Sequence, residues 1–277
     1  MSDTVSAPQD PSGAVRPKPR PLLDAAAAVG FLTLLPVARL WPQGVPPRAV
    51  GWYPWVGWVL GVPAAAAVAM AIRMHGSAPQ GAGMLVGALV IGGWAVLTRF
   101  LHWDGLADTA DGLWGGRDRE HKLEIMRDSR IGSFGAAAML FVAMAQVGAV
   151  ADIVHAGVIW PLVAAPVLGR FAASVSAWTL PAARREGLGL TAMERPGLYD
   201  VAVAVLAVAV IHFLRTPLPG LGAAGVKLIG ITLAGLVAGF VTPRILSKPV
   251  GGMTGDLFGA TVLIVETVVL VTAAVAL

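Results

Sequence analysis

The run His102-Trp103-Asp104-Gly105-Leu106-Ala107-Asp108-Thr109-Ala110-Asp111-Gly112 places three aspartates within eight residues, in a chain where 13% of residues are charged. On a helix, positions 104, 108 and 111 stand at i, i+4 and i+7 and share one face. Carboxylates gathered on one face repel each other unless a cation sits among them. An all-oxygen ligand set suits Mg2+ or another hard divalent ion, which also recruits substrate phosphates. The expected chemistry is metal-dependent phosphoryl transfer at a membrane surface, with Asp104, Asp108 and Asp111 holding metal and Asp108 and Asp111 also acting in catalysis. Gly105 and Gly112 cost about 1 kcal/mol each in helix propensity relative to Ala, and they leave room for a phosphate or a neighbouring helix. The plainer alternative is a solvated acidic helix end with an aspartate as its cap. His102 is a candidate proton shuttle beside the acids, although a histidine at an interface is more often only amphipathic.

Two further polar stretches carry candidate chemistry. From Arg117 to Glu124 the charges alternate in sign, as on an exposed helix, and Arg117 and Lys122 are candidate phosphate contacts. Asp128-Ser129-Arg130-Ile131-Gly132-Ser133 then offers an acid, hydroxyls and a guanidinium at the opening of the next apolar segment. Backbone N–H groups at such a helix start favour phosphate, and Arg130 can fork onto its oxygens. Ser133 also reads simply as a helix cap. Near the end of the chain, Gly251-Gly252-Met253-Thr254-Gly255-Asp256 opens another span. A glycine-rich loop there can cradle phosphate, with Thr254 as a contact and Asp256 as a ligand or base. Glu266 lies about ten residues inside that apolar segment, where an acid is either functional or hydrogen-bonded to a neighbouring helix. Arg184, Arg185 and Arg195 could clamp a nucleotide or anchor a loop. His75, His155 and His212 show no ligand spacing, which disfavours zinc.

The elements that must position these groups are membrane spans. The chain has 277 residues, 56% hydrophobic, 34 glycines and no cysteine, with a mean hydropathy of +0.74. An all-α, polytopic membrane bundle follows, its small residues letting helices approach closely. Without cysteine there is no disulfide and no thiolate site. The net charge of +4 is explained by basic residues retained on the cytoplasmic side, and no compact soluble basic domain exists to bind nucleic acid. Apolar segments at 51–72, 84–101, 134–154, 157–179, 200–214, 226–243 and 257–277 give seven expected spans. Two spans separate each of the polar loops 102–133, 181–199 and 244–256 from the next, so all three fall on one side. Their arginines and lysines make that side cytoplasmic. The segment 22–40 is expected to be re-entrant or interfacial, because a seventh-plus-one crossing would put the basic N-terminus outside. Residues 1–21 read as a disordered basic cytoplasmic tail, and 22–277 as one catalytic domain.

Taken together, these motifs resemble the cobalamin synthase family, the adenosylcobinamide-GDP ribazoletransferases. The matching pieces are Phe31-Leu32-Thr33 with Pro36-Val37, Tyr53-Pro54-Trp55-Val56-Gly57 with Gly61, His102 to Gly112, Ile125 to Gly135, Arg195-Pro196-Gly197, and Gly251 to Asp256 with Gly259-Ala260. Leu34-Leu35 departs from the Arg-Ile that the family commonly shows. The resemblance implies a multi-pass enzyme of the bacterial inner membrane with its site facing the cytoplasm. A ribose hydroxyl of alpha-ribazole, or of its 5'-phosphate, would attack the cobinamide-linked phosphorus of adenosylcobinamide-GDP. GMP would leave, with Mg2+ as the expected cofactor. On this reading Asp128 and Asp256 are further ligands or bases, Arg117 and Arg130 phosphate contacts, and Ser129 a weaker contact. The lipid bilayer is a partner, and a homo-oligomer is open. Two rivals are a CDP-alcohol-phosphotransferase-like enzyme on another diphosphate, which the missing Gly-x-x-Ala-Arg continuation disfavours, and an ion-coupled transporter, which would place acids near the membrane midplane.

Overall fold

The computed structural model describes residues 18–37, 47–75, 82–183, 196–215 and 223–277. Its helices, in chain order, are α1 (Pro21–Leu32), α2 (Tyr53–His75), α3 (Ala82–Leu97), α4 (Leu101–Gly115), α5 (Arg119–Ile125), α6 (Ser133–His155), α7 (Pro161–Thr179), α8 (Leu198–Arg215), α9 (Ala223–Ser247) and α10 (Gly255–Ala276). Short 3-10 turns, Pro47–Trp52 and Lys248–Val250, precede α2 and follow α9. The architecture is an all-α bundle, and each of the seven apolar segments read from the sequence is a helix. The helices at 48–74, 133–155, 161–179, 225–250 and 255–276 are long and apolar enough to cross a membrane. The pair α3 and α4 qualifies as a sixth span if counted together, and Leu198–Leu214 is a shorter apolar helix.

The centre of the bundle is α7, with 72% of its apolar window buried. It packs against α2 through glycines: a Cβ on Gly61 would come within 2.6 Å of the Val163 Cα. Small residues thus set the helix spacing, as expected where lipid supplies no hydrophobic drive between helices. Glycine also sets the contact of α4 with α10, where a Cβ on Gly105 would lie 2.7 Å from the Asp256 carbonyl oxygen.

A bend of 90° separates α3 from α4. Arg99 and Phe100 make it, both left-handed at φ 54° and 56°, a conformation that costs non-glycine residues. The bend is held from outside. The Arg99 Nη2 donates to the carbonyls of Gly30 and Thr33 at 3.0 and 2.8 Å, and the Leu34 N–H donates to the Leu97 carbonyl. The end of α1 is therefore stitched to the corner. With 12 residues and a rise of 1.5 Å per residue, α1 is about 18 Å long, short of the ~30 Å hydrocarbon core. Its Ala27, Ala28 and Leu32 are buried against Val50, Tyr53, Val56, Ala173 and Ala177. The described α1 is thus packed against the bundle.

The three polar loops meet at one end of the bundle. The Met253 N–H donates to the Pro181 carbonyl, and the Ala183 N–H to the Met253 carbonyl. From α5, the Arg119 side chain donates to the carbonyls of Val250 and Ala183 at 3.0 and 2.9 Å. Beneath these bonds Leu123, Met126, Ala183, Val250, Met253 and Leu257 form a small apolar cluster. Residues 1–17, which hold most of the expected basic tail, lie outside the described residues, as do Arg184, Arg185 and Arg195.

Candidate active site

The aspartate run is helical, as its spacing requires, but its three acids have different partners. The Asp111 carboxylate is buried, and its two oxygens accept the N–H groups of Gly132 and Gly135 at 2.7 and 2.9 Å. It therefore serves as the anionic cap of α6, at the positive end of that helix. Glycine is needed at both partners, because a Cβ on either would collide with the carboxylate. Asp104, two turns earlier, is exposed and lines a cavity together with Asp256, His102, Gly105 and Gly255. Asp108 lies between them, half-buried.

The three acids of the run are divided between different partners, and Asp104 stands about 10.5 Å along the helix axis from Asp111. Among the described residues, no group of three or more acids or histidines is placed to hold a metal ion alone. Mg2+ commonly takes only one or two carboxylates and completes its shell with water and substrate phosphate. Asp104, Asp108 and Asp256 fit that regime: hard oxygens from two helices in contact, two of them lining one cavity.

Asp256 stands in the first turn of α10. Thr254 caps that helix, its hydroxyl oxygen accepting the Leu257 N–H at 3.2 Å while the hydroxyl donates to the Asp256 carboxylate at 3.2 Å. Thr254 is thus a support for Asp256 as well as a candidate contact. The cavity is about 200 Å³ and is otherwise largely apolar, with Phe31, Tyr53, Ala177 and Phe258 in its walls. His102, 4% exposed, also lines it.

Arg170, which the sequence reading did not single out, is 1% exposed and reaches the same cavity. Its Nη1 donates to the Glu266 carboxylate and to the Pro166 carbonyl. The signal was present, since an arginine inside an apolar span needs a partner. Glu266 is that partner, so the acid inside α10 is the counter-ion of a buried guanidinium. Acids poised for ion coupling would be found otherwise, which removes support from the transporter reading.

The other proposed phosphate contacts lie apart from this cavity. Arg130 is pinned by Asp128, which accepts its Nη2 at 2.6 Å, its Nε and its backbone N–H. The Arg130 guanidinium holds the Asp128 carboxyl down at about 2. Ser129, between them, is exposed. Arg117 is exposed beside Asp118. Lys122 donates to the Gly116 carbonyl, closing the end of α4 rather than reaching outward. Arg119, one charge among many in the sequence, ties the three loops together.

Comparison with known proteins matches residues 24–274 to the family model described as cobalamin-5-phosphate synthase. An adenosylcobinamide-GDP ribazoletransferase of Syntrophobacter fumaroxidans is 38% identical over 254 residues, covering 89% of this chain and 96% of the relative. One of Rhizobium meliloti is 37% identical, covering 89% and 94%. One of Escherichia coli is 34% identical, covering 88% and 96%. No solved structure matches.

Proposed function

The chain belongs to the cobalamin-5-phosphate synthase family, and on that premise we propose that it is an adenosylcobinamide-GDP ribazoletransferase. The reaction joins alpha-ribazole, or its 5'-phosphate, to the cobinamide phosphate of adenosylcobinamide-GDP and releases GMP. The observation that carries this reading is that Asp104 and Asp256, from two different helices, line one cavity where α4 crosses α10 at Gly105.

Asp104, Asp108 and Asp256 would hold Mg2+, which when bound supplies positive charge against the diphosphate and the leaving GMP. A ribose hydroxyl forms the new P–O bond as the bond to the GMP oxygen breaks. The hydroxyl proton needs an acceptor on the attacking side, and we assign it to Asp256, whose carboxylate is oriented by the Thr254 hydroxyl. Asp111 does not touch substrate in this scheme. It fixes the start of α6 against α4 and so holds the loop of Asp128 and Arg130 in place. Phosphate binding by Arg130 would require exchanging Asp128 for a substrate oxygen, as an exposed guanidinium can do at little cost. Arg117, exposed beside Asp118, would have to leave that acid to reach the nucleotide. The gathering of three polar loops, with their basic side chains, supports a site facing the cytoplasm from the inner membrane.

The test is GMP release by the purified protein in detergent, given adenosylcobinamide-GDP and alpha-ribazole. We expect release that stops on chelation with EDTA and returns with added Mg2+. No release under any divalent ion would refute the assignment.

A further inference from the structure

We propose that the cavity beside Asp104 and Asp256 seats the planar base of the attacking riboside, a benzimidazole-type ring; this rests on the ribazoletransferase reading above. An apolar cavity of about 150 Å³ is enough to take benzene, so one of about 200 Å³ admits a carbon-rich fused ring. Phe31 and Tyr53 form an aromatic wall, stacked 6.2 Å apart at 20°. Ala173 and Ala177, both buried on α7, contribute only methyl groups to the lining. Such walls suit a weakly polar π-surface. They are a poor seat for a diphosphate or a guanine, whose many polar atoms would go unpaired, and the corrinoid is far too large to enter.

With the base seated there, its ribose lies toward Asp104 and Asp256, the acids assigned to the reacting hydroxyl and the diphosphate. Ring recognition and chemistry then occupy two parts of one cavity.

Steady-state GMP release by the unaltered protein decides the matter when the riboside is varied among 5,6-dimethylbenzimidazole, benzimidazole and adenine. The adenine riboside should show a KM about tenfold or more above the dimethylbenzimidazole one, since its extra polar groups find no partners. Filling the cavity with Ala177→Leu should raise KM for alpha-ribazole by about tenfold while KM for adenosylcobinamide-GDP stays within about twofold. Equal KM values across the three bases would overturn the proposal, and that arm needs no variant to fold. A parallel rise in both KM values in Ala177→Leu would overturn it as well. Absence of GMP release from the unaltered protein with every riboside would instead sink the ribazoletransferase reading. Equilibrium dialysis of labelled alpha-ribazole then settles the cavity: retention that Ala177→Leu abolishes supports it, and no retention overturns it.

Discussion

At the scale of single residues, the chemistry depends on which acids have their oxygens occupied. Asp111 accepts two backbone N–H groups from the start of α6, and bonds of that charged kind contribute about 1.5–3 kcal/mol each. Asp111→Ala should therefore lower the stability of the detergent-solubilised protein by about 3–6 kcal/mol, read as a fall in unfolding temperature. Asp104→Ala, with an exposed side chain, should abolish activity and leave that temperature within a degree or two. The exposed Asp128–Arg130 pair gives a pH prediction. Its folded carboxyl sits at about 2, below the ordinary ~3.9 of an aspartate. A depressed value means that the pair's contribution is complete above the ordinary pKa and is lost only as pH falls through about 2. Carbon NMR of labelled aspartate should show Asp128 titrating near 2, and rising part of the way toward the ordinary ~3.9 in Arg130→Ala, which keeps the backbone N–H bond. The sequence could show that Asp104, Asp108 and Asp111 share a helical face. It could not show that Gly132 and Gly135 would take Asp111, because that bond depends on where the next span begins.

At the scale of elements, the site exists because two helices approach at glycines. The Gly105 and Gly259 positions let α4 and α10 touch, with Asp256 just above the crossing. Gly105→Leu should push them apart, costing about 1–3 kcal/mol or more and removing activity even though every acid remains. Thermal unfolding and GMP release measured together will check both parts. The buried Arg170–Glu266 pair joins α10 to α7 instead. Arg170→Met leaves Glu266 uncompensated and should cost about 3–5 kcal/mol, whereas adding Glu266→Leu to it should restore most of the loss. A double variant as unstable as the single one would show that the pair contributes through something other than charge compensation. Helix positions were legible in the sequence because spans are long apolar runs. The pairing of Arg170 with Glu266 was not, since both residues lie in apolar helices far apart in sequence.

At the scale of the whole molecule, the parity of spans put the loops 102–133, 181–199 and 244–256 on one side, and the fold brings them into contact through Met253, Ala183 and Arg119. The expectation for α1 also follows from length, since 12 residues do not cross a bilayer. The N-terminal side of α1 should then share a side with the catalytic loops. Because the chain has no cysteine, Lys18→Cys and Arg127→Cys each introduce one thiol in an otherwise unreactive background. Both should react with a membrane-impermeant maleimide in inverted membrane vesicles and be protected in spheroplasts. Opposite labelling would mean that the chain crosses once more near its start.

The central claim is that acids from α4 and α10 form one phosphoryl-transfer site. Its most direct test is Mg2+-dependent GMP release by Asp104→Asn and Asp256→Asn, each compared with the unaltered protein at matched folded concentration. We expect kcat to fall by about three orders of magnitude or more in each, and the two substitutions combined to cost little beyond either alone, as for groups that act as a unit. Near-full activity in Asp256→Asn, or losses that simply multiply, would contradict a shared site.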